Sequence, residues 1–71
     1  MPYDSSSSLW SGECFIVRHH TKSMLVDHEN EEYWIPYSQI HDDSELYEKT
    51  SVNEDGKLVI PLWLAEKAGW V

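Results

Sequence analysis

Carboxylates are the residues of this chain whose number and spacing point to a chemistry. Ten of its thirteen acidic residues lie in one segment: Asp27, Glu29, Glu31, Glu32, Asp42, Asp43, Glu45, Glu48, Glu54 and Asp55. Lys49 is the one cation among them, so the segment carries −9 within a formal net charge of −8. Before it, Asp4 and Glu13 offset Arg18 and Lys22; after it, Lys57 and Lys67 outnumber Glu66. Carboxylates two residues apart on a strand are separated by about 6.6–6.8 Å. That is comparable with successive phosphates of a nucleic-acid strand, whose charges repeat at about 3.4 Å of axial rise. Side chains held in this way imitate a phosphate track and release counterions from a basic groove much as DNA does. The plainer role is solvation, since acidic loops keep a small protein soluble. Charge this dense also repels itself, which weighs against solubility as its whole purpose.

Other chemistries fit less well. His19, His20, His28, His41 and Cys14 are potential metal ligands, but no C-x-x-C, H-x-x-x-H or calcium-loop spacing occurs. His19 and His20 are adjacent, so a strand sends them to opposite faces. Surface histidines are expected, with no metal and no cofactor. Ser38, His41 and Asp42 have the residue types of a hydrolytic triad, yet they crowd one turn with nothing to form an oxyanion hole. Asp42-Asp43 suits a solvated loop better than an acid–base couple. The expectation is a protein that is not an enzyme.

The elements that would position the carboxylates follow from length and pattern. Seventy-one residues make one domain with a small core. Cys14 is the one cysteine, which excludes an internal disulfide and suits a reducing cytosol. No apolar run approaches the roughly 20 residues that span a bilayer, and no basic, then apolar, leader is evident. An anionic surface is repelled by nucleic acid and by anionic lipid, so direct binding to either is not expected.

The run Ser5–Ser8 and Gly12 mark residues 1–12 as a flexible lead, from which Leu9 and Trp10 can dock on the body. Residues 13–71 form a single acidic α+β domain. Cys14-Phe15-Ile16-Val17 and Ser23-Met24-Leu25-Val26 are β-rich, with a tight polar turn between them. The second strand runs to about His28 and turns at Glu29-Asn30, because asparagine tolerates the positive φ of a two-residue hairpin turn. Glu31 to Ile35 is the third strand, with Glu31, Tyr33 and Ile35 on one face and Glu32 and Trp34 on the other. Pro36 ends it or sits at an edge. Glu45–Glu48 reads equally as a short strand or one helical turn. Asn53-Glu54-Asp55-Gly56 is a turn before the strand Lys57–Ile60. Pro61 opens a helix through Ala68, Gly69 caps it, and Trp70 folds back on Leu64 or Ala65. The fold predicted is a small antiparallel sheet of about three to five strands with one short C-terminal helix. The four tryptophans are expected in its core, with one of them, or Tyr37 or Tyr47, left as an exposed anchor.

Two stretches carry a resemblance. They are Trp34-Ile35-Pro36-Tyr37-Ser38-Gln39-Ile40-His41-Asp42-Asp43-Ser44-Glu45 and Gly56-Lys57-Leu58-Val59-Ile60-Pro61-Leu62-Trp63-Leu64-Ala65-Glu66-Lys67-Ala68-Gly69. With the preceding hairpin, over residues 14–70, they resemble a small domain encoded by bacteriophages and prophages. By type, the chain also resembles the small acidic anti-CRISPR inhibitors, several of which are DNA mimics. That resemblance implies an inhibitor whose ten carboxylates, Asp27 to Asp55, bind a basic DNA-binding protein of a bacterial host. The large PAM-reading subunit of a type I CRISPR surveillance complex is one such partner. A monomer or weak dimer in the host cytoplasm is expected. The alternative is a phage accessory module that binds a protein through an edge strand or helix face, its acidity being incidental.

Overall fold

β1, Leu9–His19, is the longest strand and the one that both halves of the sheet share. In this computed structural model, which describes residues 8–71, it is followed by β2 (Ser23–His28), β3 (Glu31–Pro36), a 3-10 turn (Tyr37–Gln39), β4 (Asp55–Pro61) and helix α1 (Leu62–Ala68). The sheet order is β3-β2-β1-β4, antiparallel throughout. This is the small α+β architecture that the pattern of the sequence predicts. The first half of β1 pairs with β4, from Leu9 opposite Pro61 to Phe15 opposite Asp55. Its second half pairs with β2, from Phe15 opposite Asp27 to His19 opposite Met24. A bulge between Ile16 and Arg18 re-aims the strand end.

The lead expected over residues 1–12 is corrected at its inner end. Leu9–Gly12 are strand, and residues 1–7 lie outside the described residues. Ser11 and Gly12 are weak strand formers, but β4 is fixed by buried Leu58 and Ile60 and offers them a ladder to complete. Tertiary pairing overrides local preference there.

Alternation along the strands sends Cys14, Ile16, Met24, Val26, Ile35, Leu58 and Ile60 to one face, where they meet Leu64 and Ala65 of α1 and Leu46 of the long connection. Contrary to expectation, none of the four tryptophans is fully buried. Trp10 and Trp70 are half-buried, and Trp34 and Trp63 are exposed. The reason is periodicity: alternation turns Trp34 to the open face, α1 buries Leu64, Ala65 and Ala68 and leaves Trp63 outward, and Trp10 and Trp70 pack at the margin of the core.

The indoles close one end of the core instead. Trp10, His28 and Trp70 pack ring on ring at centroid separations of 4.9–5.5 Å. Gly69 (φ 82) and Trp70 end α1 as a Schellman cap: Gly69 N–H donates to Glu66 C=O and Trp70 N–H to Ala65 C=O. The Trp70 ring packs against the core cluster that includes Leu64 and Ala65, and its Nε1–H donates to the Glu31 C=O at 2.9 Å. His28 Nδ1 lies 2.8 Å from the Glu13 C=O and donates to it, joining β2 to β1 beyond their ladder. Gly12 lies under the Trp10 ring, where a Cβ would come within 2.7–2.8 Å of it. Pro61 is the last residue of β4 and the N-cap of α1, one position earlier than predicted.

Glu45–Glu48 is neither strand nor helical turn, because its groups seal the outer edge of β4. Ser44 Oγ accepts the Val59 N–H (2.7 Å) and donates to the Val59 C=O (3.0 Å). Glu45 Oε1 accepts the Lys57 N–H (2.8 Å), and the Glu45 N–H returns to the Lys57 C=O. The Ser44 and Glu45 side chains, with the backbone amides of His41, Glu45 and Leu46, thus take the place of a fifth strand.

Two substitutions test this account by urea denaturation. Ser44→Ala strands the amide of Val59, which is 5% exposed, and is expected to lower stability by about 1–3 kcal/mol. Gly12→Ala overpacks the Trp10 ring and is expected to lose about 1–3 kcal/mol. An unchanged midpoint in either would show that the contact does not hold the fold.

Candidate functional site

A seven-residue helix covers one face of the sheet, and the other face carries the polar half of each alternating strand. Across that face, Glu32 of β3, Asp27 of β2, Phe15 of β1 and Asp55 of β4 form one row in register. Strands about 4.7–4.9 Å apart set Asp27 and Asp55 on either side of the Phe15 ring, about 10 Å from each other. Phe15 is 39% exposed. Glu13, two residues before it on the same face, and Glu29 of the hairpin turn complete the surround of a shallow hollow with Asp27 and Asp55. The next row holds Trp34, Leu25 and Arg18, with Trp34 42% exposed and the His20 ring edge-on to it at 6.0 Å.

The hairpin that presents Asp27 and Glu29 is held by the turn predicted for it. Glu29 and Asn30 both have positive φ (52° and 72°), the pair of conformations of a type I′ turn. Asp27 Oδ1 accepts the Asn30 N–H at 2.9 Å, so this carboxylate is fixed by the turn it precedes.

Among the described residues, no lysine or arginine nitrogen comes within 4.0 Å of a carboxylate oxygen. The close pairs involve histidine: His28 with Glu29 at 3.8 Å and His41 with Asp43 at 3.6 Å. Lys57 is opposite Glu13 in register without forming an ion pair. The carboxylates of the row are thus held without a direct ion pair to lysine or arginine among the described residues, with Lys57 beside Asp55 and Glu13 on the same face.

The ten carboxylates of the acidic segment do not form one surface. Asp27, Glu29 and Asp55 gather around Phe15, and Glu32 extends their row beyond Asp27. Glu31 is on the helix side of β3, beside Trp70. Asp42 and Asp43 are on the loop that bonds to Val59, four residues along β4 from Asp55 and so about 13 Å away. Glu45 is spent on the Lys57 amide. Glu48 lines a separate hollow with Tyr37, Ile40, His41, Asp42, Ser44 and Tyr47. Glu54 is exposed, and its C=O accepts the Ile16 N–H. Glu13 and Phe15 belong to the site but not to the acidic segment. Their signal was the alternation of β1, which turns both outward once Cys14 and Ile16 are inward.

The other candidate chemistries are dispersed. No hydrogen bond joins Ser38 to His41 among the described residues. His41 Nδ1 accepts the Asp43 N–H, and the Ser44 hydroxyl is committed to β4. His19 is held between the Tyr37 hydroxyl (2.7 Å) and the Thr50 C=O. Partial burial, and secondarily the Glu48 carboxylate, raise the Tyr37 hydroxyl above its usual range, opposed by its bond to the His20 C=O. Among the described residues no three His, Cys, Asp or Glu side chains converge as metal ligands, and no helix is long and apolar enough to cross a membrane.

Cys14 is under the hollow, on the core side of β1. Burial first, then the charges of Glu13 and Asp27, push its thiol from 9.0 up to about 12. A thiol that holds its proton more tightly when folded stabilises the fold below pH 9, and the contribution is lost as pH rises towards 12. The native protein is expected to resist iodoacetamide at pH 8 until it is unfolded, and to lose stability between pH 9 and 12. Rapid native alkylation would contradict this burial.

No family model matches the chain, and no curated protein and no solved structure matches it.

Proposed function

We propose that this chain is a non-catalytic inhibitor that occupies a basic nucleic-acid-binding site on a bacterial defence effector, in the manner of a DNA mimic. One observation carries the reading. The open sheet face bears Glu32, Asp27 and Asp55 in a single row that, among the described residues, forms no ion pair with lysine or arginine, and an exposed phenylalanine stands between Asp27 and Asp55. A rigid antiparallel sheet fixes the spacing of those charges, and a cationic groove that meets them releases its counterions as it does on DNA. Phe15 and Trp34 supply apolar area that excludes water beside the charges, the composition expected of a binding hot spot. The class of effector follows from the resemblance to anti-CRISPR inhibitors, with the large DNA-binding subunit of a type I surveillance complex as the partner it implies. Of the ten carboxylates, the reading now assigns affinity to Asp27, Glu29, Glu32 and Asp55, with Glu13 added, and a steering role to Asp42, Asp43 and Glu48.

The test is competition between this protein and a target duplex for a purified type I surveillance complex. Inhibition is expected to weaken about tenfold or more between 50 and 200 mM salt. The pair Glu32→Lys and Asp55→Lys, two exposed positions, is expected to abolish it, whereas Asp42→Lys with Asp43→Lys leaves most of it. Undiminished inhibition by the first pair, or none by the native protein, would refute the proposal for this effector.

A further inference from the structure

The two edges of the sheet are treated differently. At β4 the backbone is sealed by Ser44 and Glu45. At β3 nothing equivalent is present among the described residues. In a hairpin closed by a two-residue turn the flanking residues, here His28 and Glu31, form a hydrogen-bonded pair, and such pairs then recur every second residue. Glu31, Tyr33 and Ile35 therefore bond inward to β2. The N–H and C=O of Glu32 and Trp34 point outward, and among the described residues no bond from outside the sheet reaches them. Four strong backbone groups stand in line on an exposed, six-residue strand.

We infer that the β3 edge is a docking site for an extended basic segment of a partner protein, which adds to the sheet as a fifth strand. The side chains of β3 define that segment. In an antiparallel addition it meets, in its own N-to-C direction, Trp34, Tyr33, Glu32 and then Glu31. Two β-branched or aromatic residues followed by two basic ones satisfy these positions, since opposite charges and aromatic–β-branched pairs stabilise cross-strand neighbours. Charge complementarity selects this occupant over a second copy, which would bring its own Glu31 and Glu32 and a net charge of −8 to the same edge. The inference shares Glu32 and Trp34 with the decoy reading but also requires the outward backbone groups of β3, so amide exchange tests it separately from competition with DNA.

The experiment is amide hydrogen exchange by NMR on the full chain, with and without a synthetic hexapeptide, threonine-valine-valine-lysine-arginine-threonine. Alone, the amides of Glu32 and Trp34 are expected to exchange quickly and those of Tyr33 and Ile35 slowly. Saturating peptide is expected to slow Glu32 and Trp34 at least tenfold. A control peptide with two glutamates in place of lysine and arginine is expected to have no effect. Trp34→Pro removes one outward amide and is expected to bind the peptide at least tenfold more weakly than Trp34→Val, which keeps it. Exchange in the native protein decides the matter even if the proline variant fails to fold. Unslowed Glu32 and Trp34, equal effects of the two peptides, or protection that appears with protein concentration alone, as from a second copy, would each overturn the inference.

Discussion

One short helix covers one face of a four-stranded sheet, and the rest of this structure follows from that constraint. The α1 side chains Leu64, Ala65 and Ala68 meet the inward residues of the strands, and Leu46 of the long connection fills what the helix leaves. No described helix covers the other face, which carries polar and exposed aromatic residues, with Val59 buried where the long connection meets β4. Alternation with a period of two then fixes which side chains are offered together. The same rule that buries Cys14 and Ile16 displays Glu13 and Phe15, and the register that joins Asp27 and Asp55 to Phe15 sets their carboxylates on either side of its ring. The proposed site is the outer side of the strands that form the core, so its geometry is as rigid as theirs.

The core is small, and its ends are closed by different means. Under β1, the Trp10, His28 and Trp70 rings stand where a longer helix would otherwise pack, and Gly12 gives Trp10 the space to lie against the strand. Each ring is also tied to backbone or to another ring: His28 to the Glu13 carbonyl and Trp70 to that of Glu31. Half-buried aromatic rings with one polar atom suit this place, since they bring apolar area to the core and a donor to a carbonyl at its rim. At the outer edge of β4, Ser44 and Glu45 satisfy amides that would otherwise face water or another chain. Glu45 shows why residue type alone overstates an acidic surface: its carboxylate is a structural acceptor.

What could be read from the sequence was what depends on neighbours in the chain. The Glu29-Asn30 turn, the face assignment of Glu31 to Ile35 and the Gly69 cap each rest on local φ preferences or on period two, and each is present in the structure. What could not be read depends on pairing across the fold. Ser11 and Gly12 look like the end of a lead until β4 is placed beside them. Glu45–Glu48 has no regular structure because its partner is the edge of a strand ten residues later. The tryptophans were expected in the core for their area, but register turns Trp34 to the open face, Trp63 is on the outer side of α1, and Trp10 and Trp70 reach only the margin of the core. The acidic segment was legible as charge and not as a surface, because register decides which of its members meet, and register draws in Glu13 from outside it.

The open face and the open edge meet at β3, where Glu32 and Trp34 belong to both. A strand added there would extend the uncovered face by about 4.8 Å and set its own alternate side chains next to the Glu32–Asp27 row. Basic residues at those positions would neutralise the row where it is densest, and the entropy of ordering the incoming segment would be offset by backbone bonds that do not depend on salt as the carboxylates do. The two surfaces therefore differ in what they ask of a partner. The face asks for a preformed cationic groove and loses strength with ionic strength; the edge asks for an extended chain and keeps most of its hydrogen bonds at high salt. A partner that used both would show a salt dependence that levels off instead of falling throughout, and the level it reaches would measure the share held by the β3 backbone.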